Sequence, residues 1–280
     1  MITAAGIGYM GQLGNQMFQY AALVGVRAKK GYEIAIPESN TEKRGTVPDN
    51  LNGTYIKYGL SLLDCFDLNE RLATTDELKS SLKFMYSEPH HHFSPAIFDI
   101  NDGTTINGYF ESEKHFEHCP EEILKRFKFK EDVVKLSVER LKSISVEGKR
   151  NLAVHIRRGQ DRPGLQELHP FIPKDFYDRA ISLLPDRNVL IFTDDFAWVK
   201  QNFPQYKVME WVEHQRPDFV DMCTMSMCDD HIIANSTFSW WSAWLSQAEN
   251  KTVIAPNLWF GPVLSHKSTK DTIPARWKRI

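Results

Sequence analysis

Two adjacent arginines follow an apolar segment near the middle of the chain, in the string His155-Ile156-Arg157-Arg158-Gly159-Gln160-Asp161. The apolar residues before them are typical of a buried strand, so the arginines are expected at its carboxyl end. Guanidinium groups keep their charge and offer forked donors that match diphosphate oxygens, which suits Arg157 and Arg158 to neutralising a departing nucleotide diphosphate. On this string alone, a surface pair held by salt bridges is an equally good interpretation.

A second candidate lies near the start of the chain, where Gly11-Gln12-Leu13-Gly14-Asn15-Gln16 precedes apolar residues at helical spacing. Glycines allow a close approach of the backbone to a ligand, and the N–H groups of a helix N-terminus favour anions. Gln12, Gly14 and Asn15 are therefore candidate binding residues. The string is not the dinucleotide fingerprint, because the third glycine is missing, and a tight turn with an asparagine cap explains it equally well.

A third candidate follows an apolar strand pattern and leads into a helical pattern with three tryptophans. Its polar side chains could bind a base, ribose or phosphate at the helix N-terminus, although one of them is expected to be an ordinary helix cap. The string is Asn235-Ser236-Thr237-Phe238-Ser239. The tryptophans that follow, Trp240, Trp241 and Trp244, are predicted to lie in the core rather than to stack on a base.

Two acidic pairs, Asp194-Asp195 and Asp229-Asp230, could hold a divalent cation on a diphosphate. Each is predicted at the edge of a strand near basic residues, so a metal is the less favoured hypothesis. Asp194 is expected to contact the nucleotide or to cap the next helix, and capping is the favoured role. The run His90-His91-His92 is predicted to be a solvated loop, because adjacent side chains rarely converge on one ion.

The elements that must position these residues alternate most clearly in the second half of the chain. Strands are predicted at residues 151–156, 188–192, 208–212, 231–234 and 252–255, and helices at residues 173–184, 197–203, 217–228 and 239–248. This alternation predicts a parallel sheet with helices on both faces, with ligands at the carboxyl ends of its strands.

The first half has a weaker pattern. A glycine loop, a helix and a strand ending at residue 37 begin it, and a strand at 105–110 and a helical stretch at 120–141 follow. No element is predicted between residues 37 and 95. The charged stretch 142–150 is predicted to link two domains, residues 1–145 and 146–280.

Composition excludes several classes of function. The formal net charge is −2 with acids and bases interspersed, which argues against a nucleic-acid partner. No segment approaches the roughly 20 apolar residues needed to cross a bilayer, so any membrane association is expected to be peripheral and the location cytoplasmic. The cysteines, at positions 65, 119, 223 and 228, lack metal-ligand spacing and are predicted to be reduced core residues. The oligomeric state is left open.

Four strings occur in the order found in one family. They are Gly11 to Tyr20, Gly108 to Phe116, His155 to Gly159, and Asn235 to Trp241. Together they make the chain resemble the α-1,2-fucosyltransferase family, glycosyltransferase family 11. The resemblance implies an α/β fold of GT-B type, with two Rossmann-like domains facing each other across a cleft, the first on the acceptor side and the second on the donor side. It also implies GDP-fucose as donor, inversion at the anomeric carbon, a terminal β-galactose acceptor, and no required metal or other cofactor.

The resemblance implies that Arg157 acts on the donor diphosphate, and Arg157 and Asp161 are the predicted catalytic residues. The predicted donor-binding residues are Gln12, Gly14, Asn15, His155, Arg157, Arg158, Asp194, Asn235, Ser236, Thr237, Phe238 and Ser239. The family pattern continues from Gly159 directly with aspartate, whereas Gln160 intervenes here. A general base is therefore left open among Asp161, Glu167 and His155.

Two alternatives to this activity stay open at this point. One is a GDP-sugar transferase with another linkage or donor sugar. The other is a catalytically idle protein that binds GDP or a carbohydrate.

Overall fold

The computed structural model describes residues 1–4, 6–8, 10–37, 47–48, 55–56, 62–158, 165–209 and 218–280. The chain forms two compact units, Met1–Phe129 with Ser268–Thr272, and Lys130–Lys267 with Ile273–Ile280. The first unit thus ends earlier in the chain than the sequence-based boundary after residue 145.

The first unit contains short strands, of which one pair is antiparallel and the others pair in parallel. Its elements in chain order are α1 (Leu13–Lys30), β1 (Ala35–Pro37), β2 (Val47–Pro48), β3 (Tyr55–Ile56), α2 (Leu62–Cys65), β4 (Arg71–Ala73), α3 (Thr75–Ser81), β5 (Met85–Ser87), β6 (Thr105–Asn107) and α4 (Pro120–Arg126). β1 pairs with β4, and β5 pairs with β6, both in parallel, whereas β2 and β3 pair antiparallel. Parallel bridges from Ile2 to Ile34 and from Thr3 to Thr105 place residues 2–3 between β1 and β6. The parallel order is therefore β4, β1, residues 2–3, β6, β5.

Helix α1 is buried along most of its length and ends at Lys30. Gly31 follows its last residue with φ of 72°, the left-handed conformation that favours glycine at a helix end. Near the middle of the helix, Gly25 faces the short 3₁₀ helix Glu113–His115. A Cβ atom at Gly25 would lie only 1.8 Å from the His115 carbonyl oxygen, so glycine is what allows these two segments to touch.

The second unit contains a six-stranded parallel sheet. Its elements are α5 (Glu131–Lys142), β7 (Asn151–Ile156), α6 (Lys174–Ser182), β8 (Asn188–Thr193), α7 (Phe196–Asn202), β9 (Lys207–Val208), α8 (Asp218–Ser226), β10 (Asp230–Ile232), α9 (Thr237–Leu245), β11 (Val253–Ala255) and β12 (Lys278–Arg279). The strand order is β12-β11-β10-β7-β8-β9, and all neighbours are parallel. The predicted parallel sheet is confirmed.

Alternate residues of β7 enter two different cores. Leu152, Val154 and Ile156 pack with side chains of α6 and α7. Ala153 packs with side chains of α5 and α8. Helices therefore cover both faces of this sheet, and the period of two along the strand decides which face each residue meets.

Helix α5 belongs to the second unit because it packs on α8. The Ser137 hydroxyl donates to the Val220 carbonyl at 3.3 Å, and the Arg140 guanidinium pairs with the Asp221 carboxylate. The stretch 142–150, predicted to link two domains, therefore lies inside the second unit and joins α5 to β7.

Two further differences from the predicted elements lie within residues 37–142. The helix predicted at 120–141 is two helices, α4 and α5, separated by residues 127–130. Residues 37–95, where no element was predicted, hold β2 to β5, α2 and α3 within their described parts.

Among the described residues, no helix combines the length and the apolar character needed to cross a bilayer. All four cysteines are free thiols, and only Cys119 is not fully buried.

Candidate active site

Three neighbouring parallel strands of the six-stranded sheet, which we call the second sheet, end at the same edge. Each of these strands is followed by predicted site residues. Arg157 and Arg158 follow β7, and Asp194 and Asp195 follow β8. The N-terminus of α9 follows β10, which pairs with β7 on its other side. The structure therefore brings these predicted residues to one edge, the place where open α/β sheets bind ligands.

Arg157 is aligned by a carboxylate and remains accessible. Its Nη1 atom lies 2.9 Å from Asp194 Oδ2, and its side chain is 31% exposed. The other oxygen of this carboxylate, Oδ1, accepts the backbone N–H of Arg158 at 2.8 Å. Asp194 thus fixes both the guanidinium of Arg157 and the chain beside it, while about a third of the Arg157 side chain stays exposed.

Arg158 is more enclosed, with a side chain 19% exposed. Its Nε atom lies 3.3 Å from Asp195 Oδ2, and its guanidinium carbon lies 4.4 Å from the Phe171 ring centroid and 4.2 Å from that of Trp198. Asp195 Oδ1 also accepts the Trp198 backbone N–H at 3.0 Å, so Asp195 caps α7. The prediction that Asp194 is the cap was wrong by one residue, because the Asp194 carboxylate is turned to Arg157.

His155 is a buried, neutral residue next to the arginines. Only 6% of it is exposed, and its ring centroid lies 5.7 Å from that of Phe238 on α9. Burial, together with the charge of Arg157, lowers the pKa of His155 to about 3. A group that is so weak a base is poorly suited to accept a proton from a sugar hydroxyl.

The polar residues before α9 have two different positions: Asn235 is bonded to neighbouring loops, and Ser236 stands at the start of the helix. Asn235 Nδ2 donates to the carbonyl oxygens of Pro170, at 3.0 Å, and Trp259, at 3.2 Å, so its amide ties two loops together. Ser236 occupies the N-cap position, but its side chain makes no capping hydrogen bond. The helix begins at Thr237, two residues before the predicted start, and its positive end lies at the same sheet edge as Arg157.

Phe238 and Ser239 serve packing and local bonding in this segment. Phe238 lies partly buried against the core on the α8 face, and the Ser239 hydroxyl donates to the Ser236 carbonyl at 3.3 Å. Trp240 and Trp241 are fully buried, and Trp244 is 7% exposed. The prediction that these tryptophans lie in the core is confirmed.

The two acidic pairs do not come together. Asp229 and Asp230 lie at the amino end of β10, the edge opposite to Asp194. Asp230 is fully buried and accepts hydrogen bonds from Arg150 Nε at 3.1 Å and Arg187 Nε at 2.7 Å. In the described part of the chain, no three His, Cys, Asp or Glu side chains are grouped so as to hold a metal ion.

The predicted binding residues of the glycine loop lie in the first unit. Gln12 is the N-cap residue of α1, without a capping side-chain bond, and Gly14 is buried in the first turn. Asn15 lies inside the helix, so the alternative of an asparagine cap is wrong. The sharp turn is made by Gly11, whose φ is 79°.

A pair that the sequence reasoning missed lies at the carboxyl ends of β5 and β6. His91 Nε2 lies 3.6 Å from Glu111 Oε2 and 3.3 Å from Thr272 Oγ1, with His91 and Glu111 both buried. His91 is therefore not part of a solvated loop as predicted. The parallel pairing of two strands far apart in sequence brings these side chains together, and the histidine run alone carries no signal of it.

Close to this pair, the backbone takes an uncommon conformation. Phe110 is buried with φ of 55°, and the Glu88 carboxylate accepts the backbone N–H groups of Tyr109, at 2.9 Å, and Phe110, at 3.1 Å. Such conformations persist only where the surroundings enforce them.

Of the predicted catalytic residues, Asp161 lies outside the described residues, as do Gly159 and Gln160.

The chain is similar in sequence to known glycosyltransferases. The family model for glycosyl transferase family 11 matches residues 84–279. The O-antigen biosynthesis glycosyltransferase WbnK of Escherichia coli is 28% identical, over 94% of this chain and 97% of its own. The alpha-1,2-colitosyltransferase of Escherichia coli is also 28% identical, over 96% of both chains.

Solved structures of two fucosyltransferases share the fold. POFUT1 in complex with GDP matches with a TM-score of 0.52 and 10% identity, over 90% of this chain and 97% of that one. NodZ alpha-1,6-fucosyltransferase soaked with GDP-fucose matches with a TM-score of 0.50 and 13% identity, over 87% and 92%. These matches confirm the predicted α/β fold of GT-B type. The family model, which covers most of the chain, shows that it belongs to glycosyl transferase family 11, the α-1,2-fucosyltransferase family.

Proposed function

We propose that this chain transfers L-fucose from GDP-fucose to the 2-hydroxyl of a terminal β-galactose in a glycan or polysaccharide repeat, with inversion and without a metal ion. The observation that carries the proposal is the Arg157 guanidinium, aligned by Asp194 at 2.9 Å and still partly exposed at the carboxyl edge of the second sheet. The linkage is supported by a relative named for α-1,2 transfer, and the donor by fold neighbours solved with GDP or GDP-fucose.

In this proposal, the main chemical task is to stabilise the negative charge on departing GDP. Arg157 supplies a permanent positive charge with donors that fit a diphosphate. The N-terminus of α9, at the same edge, adds a partial positive charge from its backbone N–H groups. Asp194 keeps the Arg157 guanidinium oriented before the donor arrives, which lowers the cost of ordering it on binding.

Removal of the proton from the acceptor hydroxyl makes a smaller demand. The transition state is expected to resemble an oxocarbenium ion, so the proton leaves late and a strong base is not required. His155, with a pKa lowered to about 3, does not suit this step. Asp161 stays the proposed catalytic carboxylate, and Glu167 is an exposed alternative.

The test is GDP release from GDP-fucose, in EDTA, with and without a panel of β-galactosides. We expect release that depends on acceptor in the wild type and is lost in Arg157→Ala. Arg179→Ala is the matched control, because that side chain is 64% exposed on α6 and pairs with Asp175 at 3.7 Å. GDP binding without release on any acceptor would favour an idle binding protein, and activity restored by magnesium or manganese would overturn the metal-free mechanism.

A second candidate donor is suggested by the colitosyltransferase relative, at 28% identity over 96% of this chain. Colitose is fucose without its 3-hydroxyl, so the two donors present the same diphosphate to Arg157. Parallel assays with GDP-fucose and GDP-colitose decide between them. Linkage analysis of the product then decides whether the 2-hydroxyl is the acceptor atom.

A further inference from the structure

Arg157 and Arg158 are adjacent in sequence but meet different partners. Strands β7 and β8 stay in register to their last residues. Continuing that register places Arg157 beside Asp194 and Arg158 beside Asp195, which are the two ion pairs observed. Since side chains alternate along an extended chain, the two pairs lie on opposite faces of the sheet edge.

The contacts agree with this alternation. His155, two residues before Arg157 and therefore on the same face, packs its ring on Phe238 of α9. On the other face, Arg158 meets Phe171 and also Trp198 of α7. Only Arg157 is therefore on the face that carries the N-terminus of α9.

Arg158 is held by contacts with three residues, and we call the whole group the arginine clamp. Its members are Arg158, Phe171, Asp195 and Trp198. One carboxylate oxygen of Asp195 lies 3.3 Å from Arg158 Nε, and the other accepts the Trp198 backbone N–H at 3.0 Å. The Trp198 ring, positioned by that helix cap, in turn lies 4.2 Å from the Arg158 guanidinium carbon. A planar guanidinium stacks on aromatic rings in a way that a lysine ammonium does not reproduce.

We infer that Arg158 is a positioning residue rather than a ligand of the donor diphosphate. The clamp fixes the carboxyl ends of β7 and β8 to each other and so holds Arg157 and Asp194 in the geometry that receives the diphosphate. This inference rests on the proposed function, because it assigns Arg158 a part in GDP binding through Arg157.

The experiment measures the affinities of the full chain for GDP and GMP by calorimetry, since their ratio isolates the contribution of the β-phosphate. We expect Trp198→Leu and Arg158→Lys each to reduce that ratio about tenfold, and the double variant to be no worse than either single one, as coupled residues require. Trp198→Phe, which keeps an aromatic ring, is expected to retain most of the ratio.

Phe203→Leu is the matched control for destabilisation alone. Phe203 is buried and its ring centroid lies 5.8 Å from that of Trp198, but it belongs to the core rather than to the clamp. It should lower the melting temperature and leave the GDP to GMP ratio unchanged. If Trp198→Leu leaves the ratio unchanged while Arg158→Lys lowers it, Arg158 contacts the diphosphate directly and the inference is wrong. If the wild type binds neither nucleotide, the proposed function falls, and the inference falls with it.

Discussion

Asp194 is the residue on which the proposed diphosphate site depends most directly. One of its carboxylate oxygens lies 2.9 Å from Arg157 Nη1, and the other accepts the backbone N–H of Arg158 at 2.8 Å. Asp194→Asn keeps the shape of the side chain and removes the charge that aligns Arg157. We expect kcat/KM for fucosyl transfer to fall about 10- to 100-fold, the cost of a modest misplacement of a catalytic group.

The matched control for this variant is Asp175→Asn, at an aspartate that is 70% exposed and pairs with Arg179 on the same helix. Exposed pairs of this kind contribute little to stability, so its kinetics and melting temperature should match the wild type. Equal kinetics for Asp194→Asn and the wild type would show that Arg157 does not need this carboxylate.

For single residues, the sequence predicted the features that depend on local pattern and missed the contacts that depend on pairing between distant strands. Arg157 and Asp194 could be assigned to strand ends because apolar runs precede both. The ion pair between them is a consequence of β7 and β8 being neighbours. The pair of His91 and Glu111 depends on β5 pairing with β6, and no spacing in the sequence indicates that.

Among the elements, α9 and the segment before it are fixed by Asn235. Its amide donates to Pro170 and Trp259, carbonyls that lie on two different loops. Asn235→Ala leaves both acceptors without this donor in a buried place, and we expect a loss of about 1–3 kcal/mol in the free energy of unfolding. Calorimetric melting is the measurement, with the exposed Asn257→Ala as a control that should not change stability.

At Gly25 in helix α1, helix propensity and packing have opposite effects on the stability of an alanine variant. Alanine is the better helix former by about 1 kcal/mol, so propensity alone predicts that Gly25→Ala stabilises the chain. The new Cβ would meet the His115 carbonyl oxygen at 1.8 Å, and both partners are backbone-anchored. We therefore expect a net loss of about 3 kcal/mol, as for overpacking without relief.

Gly31→Ala separates this steric effect from backbone strain. Gly31 has φ of 72° and nothing within 4 Å of an added Cβ, so its substitution should cost only about 1 kcal/mol, for the left-handed conformation. Chemical denaturation of the two variants compares them. A Gly25→Ala variant as stable as the wild type would mean that α1 and the Glu113–His115 segment can separate at little cost.

The elements themselves were predictable in proportion to their length and burial. β7 and β8 have six residues each, all buried except Asn151, and both were located within a residue of their observed bounds. Strands such as β4 and β5 have only three residues, and most of those are exposed. So short and exposed a segment has no periodicity to detect, which explains why no element was predicted between residues 37 and 95.

On the scale of the whole molecule, buried neutral histidines are distributed over both units. His115 lies in the first unit, with a pKa lowered to about 4 by burial. His155 and His231 lie in the second unit, both with pKa values lowered to about 3, chiefly by burial and also by Arg157 and Lys251 respectively. The ordinary value is 6.5.

These shifts fix the sign of the pH dependence of stability. Between pH 6.5 and the lowered values, the unfolded chain binds protons at these positions and the folded chain does not. The free energy of unfolding therefore falls as the pH falls below 6.5, by up to about 1.4 kcal/mol per pH unit for each histidine.

His231 provides the most direct test, because it lies fully buried in β10 at the centre of the second sheet. His231→Leu removes one titrating group, so the loss of unfolding free energy between pH 7 and pH 5 should be smaller than in the wild type by about 2 kcal/mol. Scanning calorimetry at both pH values measures it, with the exposed His266→Ala expected to keep the wild-type dependence. The comparison within one variant cancels any packing change, since a substitution that only alters packing shifts the stability equally at both pH values. An unchanged dependence in His231→Leu would mean that this histidine is protonated in the folded chain at pH 5, and that burial does not hold it neutral.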